Sequence, residues 1–188
     1  MDIVLKSSSP RRKDLLKDMG YEFIVKTYDV DETFDNKLDP FTNVKLLGLK
    51  KASIKKEEDY GKILIGCDTI VVLDNVIYGK PKDELDAYNM LKNLSGKMHY
   101  VASGIAVIYK DKIFNDVEIS KVYFKELTDN DIYEYIKTGE CFGKAGSYAI
   151  QGIGKCLVSH YEGSLNNIIG LPTEKLSNIL GEINGMED

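Results

Sequence analysis

Tryptophan is absent from the 188-residue chain, and histidine, cysteine and proline are scarce, with two, three and four residues. The three cysteines (Cys67, Cys141 and Cys156) form no CxxC pair, so the sequence predicts neither a disulfide framework nor a structural zinc site. We expect buried or half-buried free thiols instead. The chain also lacks any run of 18 or more apolar residues, so no transmembrane helix and no membrane partner are expected.

The first residues lack the charged and then apolar pattern of a secretory signal, which favours a cytoplasmic location. Acidic residues outnumber basic ones by 30 to 25, giving a net charge of −5. Binding to long nucleic acid is usually supported by clustered lysine and arginine, so we expect no nucleic-acid partner. A small anionic ligand needs only a local basic pocket and remains compatible with this charge.

Apolar periodicity predicts strands and helices that alternate without a strict βαβ repeat, which indicates a mixed-sheet α/β fold in one domain over 1–188. The strongest strand signal is 63–73, followed by a turn at Asp74-Asn75. The other predicted strands cover residues 3–5, 97–109, 112–127 and 156–161. Helices are predicted from Ser9-Pro10 to Gly20, from about 41 to 56, and over 84–94, 129–137 and 173–183.

A cluster of hydroxyl and guanidinium groups follows the first strand in Ser7-Ser8-Ser9-Pro10-Arg11-Arg12. Hydroxyls, the unpaired N–H groups of a helix start and two arginines together make an anion site. The alternative is a plain capped helix with exposed arginines.

An acidic residue, Asp68, interrupts the apolar run of the strongest strand. A buried carboxylate is costly unless a metal ion, lysine or arginine pairs with it, and active sites favour such positions. The alternatives are a structural ion pair or a strand that ends at residue 67.

Three further charged residues are only weak indications of a functional site when each is considered by itself. Pro81 restricts Lys80 to extended geometry, but a single lysine is usually a solvated surface residue. The same holds for Lys51 in the second predicted helix and for Glu32 in an acidic stretch. His99 lies in an apolar-leaning strand, and we interpret it as structural.

A glycine-rich segment runs from Lys144 to Gly152. Its glycines permit close backbone approach to a ligand, and Gln151 carries a donor and an acceptor that could read the amide edge of a pyrimidine base. The alternative is an ordinary glycine-punctuated loop.

Taken together, these segments resemble the Maf family of nucleoside triphosphate pyrophosphatases over nearly the whole chain. Their order and spacing carry the resemblance more than any single segment does. The matching segments are Leu5–Arg12, Val30-Asp31-Glu32, Leu49–Ala52, Gly66–Thr69, Gly79-Lys80-Pro81, Lys144–Tyr148 and Gly163–Pro172.

The resemblance implies hydrolysis of the bond between the α and β phosphates of a nucleotide, with a divalent metal, Mg²⁺ or Mn²⁺. It also implies an elongated mixed β-sheet with flanking helices, two lobes around a central cleft, and often a homodimer. Asp68 matches the family's catalytic base, with Glu32, Lys51 and Lys80 in the same cleft, and Glu32 and Asp68 as metal ligands. The implied substrate-binding residues are Ser7, Ser9, Arg11, Arg12, Thr69, Lys144 and Gln151.

Three of these positions imply a substrate preference. Family members that prefer dTTP and UTP resemble this chain at Arg11, Thr69 and Gln151, whereas members that prefer 7-methyl-GTP carry Trp, Gln and Glu there. The chain departs from the usual family pattern at Gly143, where a carboxylate is missing, and at Lys6, which adds positive charge beside the first serine.

Two alternatives to hydrolysis of dTTP and UTP stay open. One is the same hydrolysis of CTP or modified nucleotides, and the other is a nucleotide-binding regulator of cell division and septum formation.

Overall fold

The structure of the protein, a computed structural model, describes residues 2–186. Within that range, seven strands form one mixed sheet in the order β2-β1-β3-β5-β6-β7, with β4 paired to β3, and six α-helices accompany it. The strands are β1 (Ile3–Leu5), β2 (Phe23–Val25), β3 (Ile63–Leu73), β4 (Val76–Tyr78), β5 (Met98–Tyr109), β6 (Lys112–Phe124) and β7 (Val158–Glu162). The helices are α1 (Pro10–Asp18), α2 (Pro40–Ser53), α3 (Glu84–Leu94), α4 (Asp129–Lys137), α5 (Leu165–Ile169) and α6 (Thr173–Gly185).

The mixed α/β fold is confirmed. β1 pairs in parallel with both β2 and β3, whereas β4 and β7 pair antiparallel with β3 and β6. The predicted turn after β3 is also confirmed, since Asp74 and Asn75 both have positive φ angles, of 50° and 64°. None of the helices in residues 2–186 is long and apolar enough to cross a membrane.

Several boundaries differ from the prediction for local reasons. Helix α2 ends at Ser53 rather than residue 56, because Ile54 already has an extended backbone. Residues 153–157 form a 3₁₀ turn, so β7 begins at Val158. The short elements β2, β4 and α5 lie below the length at which periodicity is informative.

Two of the three cysteines are buried free thiols, as predicted. Cys67 and Cys141 are fully buried, but the prediction is wrong for Cys156, which is exposed in a 3₁₀ turn.

The chain divides into two compact units. The first contains the residues up to Thr69, Ser103–Glu118 and those from Gly170, and the second contains Ile70–Ala102 and Ile119–Ile169. The predicted elongated shape and central cleft remain predictions.

In the first unit, helix α2 packs directly against the sheet because glycine occupies the contact positions. A Cβ atom at Gly66 of β3 would overlap the backbone of Gly48 and Ala52 of α2. A Cβ atom at Gly104 of β5 would likewise overlap the carbonyl of Val44. At these two positions the main chains of helix and strand therefore meet without an intervening side chain.

The first unit also buries an ion pair at the end of β1. The Lys6 ammonium lies 2.8 Å from Asp59, with both side chains almost fully buried, and Lys26 binds the other Asp59 oxygen. Burial alone would raise the pKa of Asp59, but hydrogen bonds from Lys26 and Lys6 hold it well below its usual range. The positive charge that Lys6 adds beside the first serine is therefore neutralised within the protein.

In the second unit, His99 is buried in an aromatic cluster with Phe124 and Tyr148. Its Nε2 lies 2.7 Å from the Tyr148 hydroxyl, and burial lowers the pKa of His99 to about 3. The structural interpretation of His99 agrees with this environment.

The contact at Gly66 predicts that adding one methyl group there lowers the stability of the protein strongly. We expect Gly66→Ala to lower the free energy of unfolding by about 3 kcal/mol, because the new Cβ must push α2 off the sheet. Gly181→Ala is the matched control in α6, where nothing lies within 4 Å, and helix propensity should raise stability by about 1 kcal/mol. Urea unfolding measures both, and equal effects of the two substitutions would contradict the packing argument.

His99 predicts a pH dependence of stability. Since its folded pKa lies below the ordinary value of 6.5, the unfolded chain takes up the proton first, so stability is full above about pH 6.5 and falls as the pH drops toward 3. Between pH 7.5 and pH 5, urea unfolding should show that the wild type loses about 2 kcal/mol more than His99→Gln. The same pH dependence in both proteins would show that His99 does not titrate in this way.

Candidate active site

Lys51 brings two carboxylates of the first unit together. Its ammonium lies 2.6 Å from Asp68 Oδ1 and 2.8 Å from Glu32 Oε1. Lys51 and Asp68 are mostly buried, whereas the Glu32 side chain is about half exposed, at 53%. Asp68 is thus paired inside the fold with a lysine, as its place in an apolar strand required.

The local structure explains this arrangement. Lys51 lies in the last turn of α2, and Asp68 lies in β3 two residues after the glycine that α2 packs against. The preceding residue of the helix, Lys50, donates to the carbonyl of Asp31 at 2.6 Å. Successive lysines of one helix therefore hold the segment that carries Glu32.

The electrostatics of the site centre on Lys51. Burial alone would lower the pKa of Lys51, but the charges and hydrogen bonds of Asp68 and Glu32 outweigh it, and the pKa is raised. Lys51 therefore remains charged at neutral pH, as a group that neutralises phosphate must.

Glu32 and Asp68 also fit part of a magnesium or manganese site. Carboxylate oxygens are the ligands that these ions prefer, and Mg²⁺ is often held by one or two carboxylates together with substrate phosphates. Among residues 2–186, no group of three or more His, Cys, Asp or Glu side chains could hold a metal. The donor set thus fits an ion that binds together with a phosphorylated substrate.

A second cluster is organised by Arg12, which is buried. Its Nε donates to the carbonyl of Gly170 at 2.7 Å, and its other nitrogens donate to Ser7 Oγ at 3.1 Å and Thr69 Oγ1 at 3.0 Å. Three of the predicted substrate-binding residues are thereby brought together.

The serine loop, residues 7–9, leads into α1 without the side-chain cap that its sequence suggests. Ser9 is at the N-cap position and Pro10 begins the helix, but the Ser9 side chain makes no cap hydrogen bond. Instead, Ser9 N–H donates to Ser7 Oγ at 3.3 Å. Arg11, the next predicted residue, is half-buried.

The remaining predicted residues lie in the second unit. Gly146 N–H donates to the carbonyl of Gly79 at 3.0 Å, so the segments that carry Lys80 and Lys144 are neighbours. Lys80 is exposed, Lys144 is half-buried, and Gln151 is exposed in the turn before the last strand.

Sequence reasoning missed two residues beside Gln151. Glu140 accepts hydrogen bonds from the N–H groups of Ile153 and Gly154, and from the hydroxyl of Tyr135. The glycines after Gln151 were the available signal, because a glycine in a loop often marks a close contact.

The bonds of Arg12 predict that arginine is required at this position. We expect Arg12→Lys to lower the free energy of unfolding by about 2 kcal/mol, because one ammonium cannot reach the three separated acceptors that the guanidinium holds. Lys13→Arg, on the same helix, should change stability by less than about 0.5 kcal/mol. Thermal and urea unfolding measure the difference, and a fully stable Arg12→Lys protein would contradict this prediction.

The sequence matches the Maf-like protein family over residues 2–183. Curated relatives named dTTP/UTP pyrophosphatase include that of Thermoanaerobacter sp. (strain X514), 46% identical, and that of Clostridioides difficile (strain 630), 44% identical. The match covers 96% of this chain in both cases, and 95% and 94% of those proteins. Among solved structures, a HAM1 protein from Coxiella burnetii is similar with a TM-score of 0.40 and 14% identity, over 66% of this chain and 73% of that one. The family match over residues 2–183 and the relatives above 40% identity show that this chain belongs to the Maf family.

Proposed function

We propose that the protein hydrolyses dTTP and UTP at the bond between the α and β phosphates, releasing the nucleoside monophosphate and pyrophosphate. The observation that carries this proposal is the group formed by Lys51, Asp68 and Glu32, in a chain whose relatives carry the name dTTP/UTP pyrophosphatase. Such an activity would remove unwanted nucleotides from the cellular pool.

The reaction requires neutralised phosphate charge and a positioned water molecule, with little covalent help from the protein. Lys51 supplies a buried positive charge that stays protonated at neutral pH. Within residues 2–186 the hydrogen-bond partner of the Asp68 carboxylate is Lys51, which donates to Oδ1. The second oxygen, Oδ2, can therefore accept the proton of the attacking water. As the water oxygen bonds to one of the two phosphorus atoms, the bond from that phosphorus to the bridging oxygen breaks, and the nucleoside monophosphate and pyrophosphate separate.

Glu32 and Asp68 are the residues that would hold Mg²⁺ or Mn²⁺ together with the phosphates. When bound, such an ion neutralises phosphate charge and lowers the pKa of water. The two carboxylates differ in exposure, which favours the less exposed Asp68 as the base and the more exposed Glu32 as the residue that adjusts to the incoming ion.

The preference for dTTP and UTP is supported by Arg11, Thr69 and Gln151, which match the pyrimidine-specific pattern. The absence of tryptophan removes the stacking partner that a methylated, cationic purine would use. Substrate contacts of Ser7, Ser9, Arg12, Lys80 and Lys144, a homodimer and a cytoplasmic location remain predictions from the resemblance and the sequence.

The test is pyrophosphate release from dTTP, UTP, CTP, GTP and 7-methyl-GTP, with Mg²⁺ or Mn²⁺. We expect release from dTTP and UTP, and a loss of at least about 10³-fold in Asp68→Asn, because the amide cannot take up the proton. Asp111→Asn, in the exposed turn between β5 and β6, is the matched control and should keep full activity.

The other outcomes separate the alternatives. Preference for CTP, GTP or 7-methyl-GTP would overturn the specificity argument and leave the reaction class standing. Calorimetric binding of nucleotide without turnover, equal in the wild type and Asp68→Asn, would replace hydrolysis by the regulator of cell division.

A further inference from the structure

The turn that presents Gln151 is held on both sides by two side chains. We propose that Tyr135 and Glu140 are positioning residues that fix this turn so that Gln151 can read the base of the nucleotide. This inference rests on the proposed function, and it assigns a role to two residues that contact the turn rather than the substrate. The pair is called the Tyr135–Glu140 clamp.

Glu140 holds the C-terminal side of the turn. Its Oε1 accepts from the N–H of Ile153 at 2.9 Å, and its Oε2 accepts from the N–H of Gly154 at 2.7 Å. Hydrogen bonds to a carboxylate are stronger than those between neutral groups, so this half-buried side chain restrains the backbone directly after Gln151.

Tyr135 holds the N-terminal side. Its hydroxyl donates to Glu140 Oε2 at 2.8 Å and accepts from the N–H of Ala149 at 3.3 Å. Tyr135 belongs to α4 and is buried, so the ring is fixed by the core of the second unit. The backbone on either side of Gln151 is therefore tied to one carboxylate, directly or through one hydroxyl.

Two glycines make room for the clamp. A Cβ atom at Gly152 would overlap Glu140 Oε1, and a Cβ atom at Gly154 would lie 2.9 Å from the Tyr135 hydroxyl and 2.6 Å from the carbonyl of Ala149. Neither glycine has a positive φ angle, and that of Gly152 is −101°. The need for glycine at these two positions therefore comes from contact with the clamp rather than from backbone conformation.

The charge state of the clamp suits this role. Burial alone would raise the pKa of Glu140, but hydrogen bonds from Gly154, Tyr135 and Ile153 hold it below its usual range. Burial and the Glu140 carboxylate raise the pKa of Tyr135. Glu140 therefore accepts and Tyr135 donates at neutral pH, as the geometry requires.

Steady-state hydrolysis of dTTP, UTP, CTP and GTP by the wild type, Glu140→Gln and Tyr135→Phe tests the clamp. In Glu140→Gln at least one backbone N–H faces an amide NH₂ group, and Tyr135→Phe removes the hydroxyl while keeping the ring. We expect KM for dTTP and UTP to rise about tenfold with kcat within about twofold, because the loss concerns binding of the base rather than the reacting phosphates. The preference of kcat/KM for UTP over GTP should fall by a similar factor.

Matched controls lie on the same helix. Glu134→Gln and Tyr133→Phe alter exposed residues of α4, one paired with Lys137 and the other stacked on Tyr88, and should keep wild-type KM and base preference. Hydrogen exchange followed by mass spectrometry supplies a readout independent of substrate, and residues 149–154 should exchange faster in both clamp variants. The double variant should be less impaired than the product of the single effects, because both changes break one network.

The outcomes distinguish the clamp from the proposed function. A wild type that hydrolyses dTTP while folded clamp variants keep its KM and its base preference would overturn the clamp alone. A kcat loss with unchanged base preference would also overturn it, since that pattern indicates general structural damage. A wild type that neither hydrolyses nor binds any of the four nucleotides would overturn the proposed function, and the clamp would fall with it.

Discussion

The close contact between the backbone of helix α2 and the sheet is the constraint on which the first unit depends. At Gly66 and Gly104 no side chain separates the helix from the strand, so the backbones approach each other more closely there than a Cβ atom would permit. That approach brings the last turn of α2 to Asp68, and Lys51 forms its ion pair there. The position of the charged groups is thus a consequence of the absence of two Cβ atoms.

A single backbone carbonyl, that of Gly170 in the turn before α6, accepts hydrogen bonds from two other elements of the same unit, α1 and β3. It accepts hydrogen bonds from the Arg12 guanidinium, from the Thr69 hydroxyl at 3.4 Å and from the Cys67 thiol at 3.4 Å. Helix α1 and the middle of β3 therefore share one acceptor in the turn before α6. Movement of any one of them must alter the other two, which gives this part of the molecule a common geometry.

Much of the fold could be predicted from local signals. The bounds of β3, α3 and α4 agree with the prediction. Thr128 caps α4 by accepting a hydrogen bond from the N–H of Asp131. These elements combine strong periodicity with a strong start or stop signal. The need of Asp68 for a partner was also predictable, because the strand around it is apolar.

The contacts between distant residues could not be predicted in the same way. Lys51 as the partner of Asp68 depends on how closely α2 approaches β3, and the role of Glu140 depends on a loop that returns to it from residue 153. At Ser9 the residue type is one that commonly caps a helix, but its side chain makes no cap hydrogen bond. The N–H of Ser9 donates to the hydroxyl of Ser7 instead. Tertiary structure selects among partners that the sequence allows equally.

The buried pair of Lys6 and Asp59 constrains how this sequence can diverge. The Lys6 ammonium is accommodated in the interior because the Asp59 carboxylate, which also binds Lys26, compensates its charge. Loss of Asp59 would leave Lys6 without its carboxylate partner in the interior, whereas loss of Lys6 would leave Asp59 still paired with Lys26. A change that removes the acid at residue 59 is therefore compatible with the fold only together with a change at Lys6, and a chimera that combines Lys6 with residue 59 from a relative without the acid would bury an unpaired ammonium.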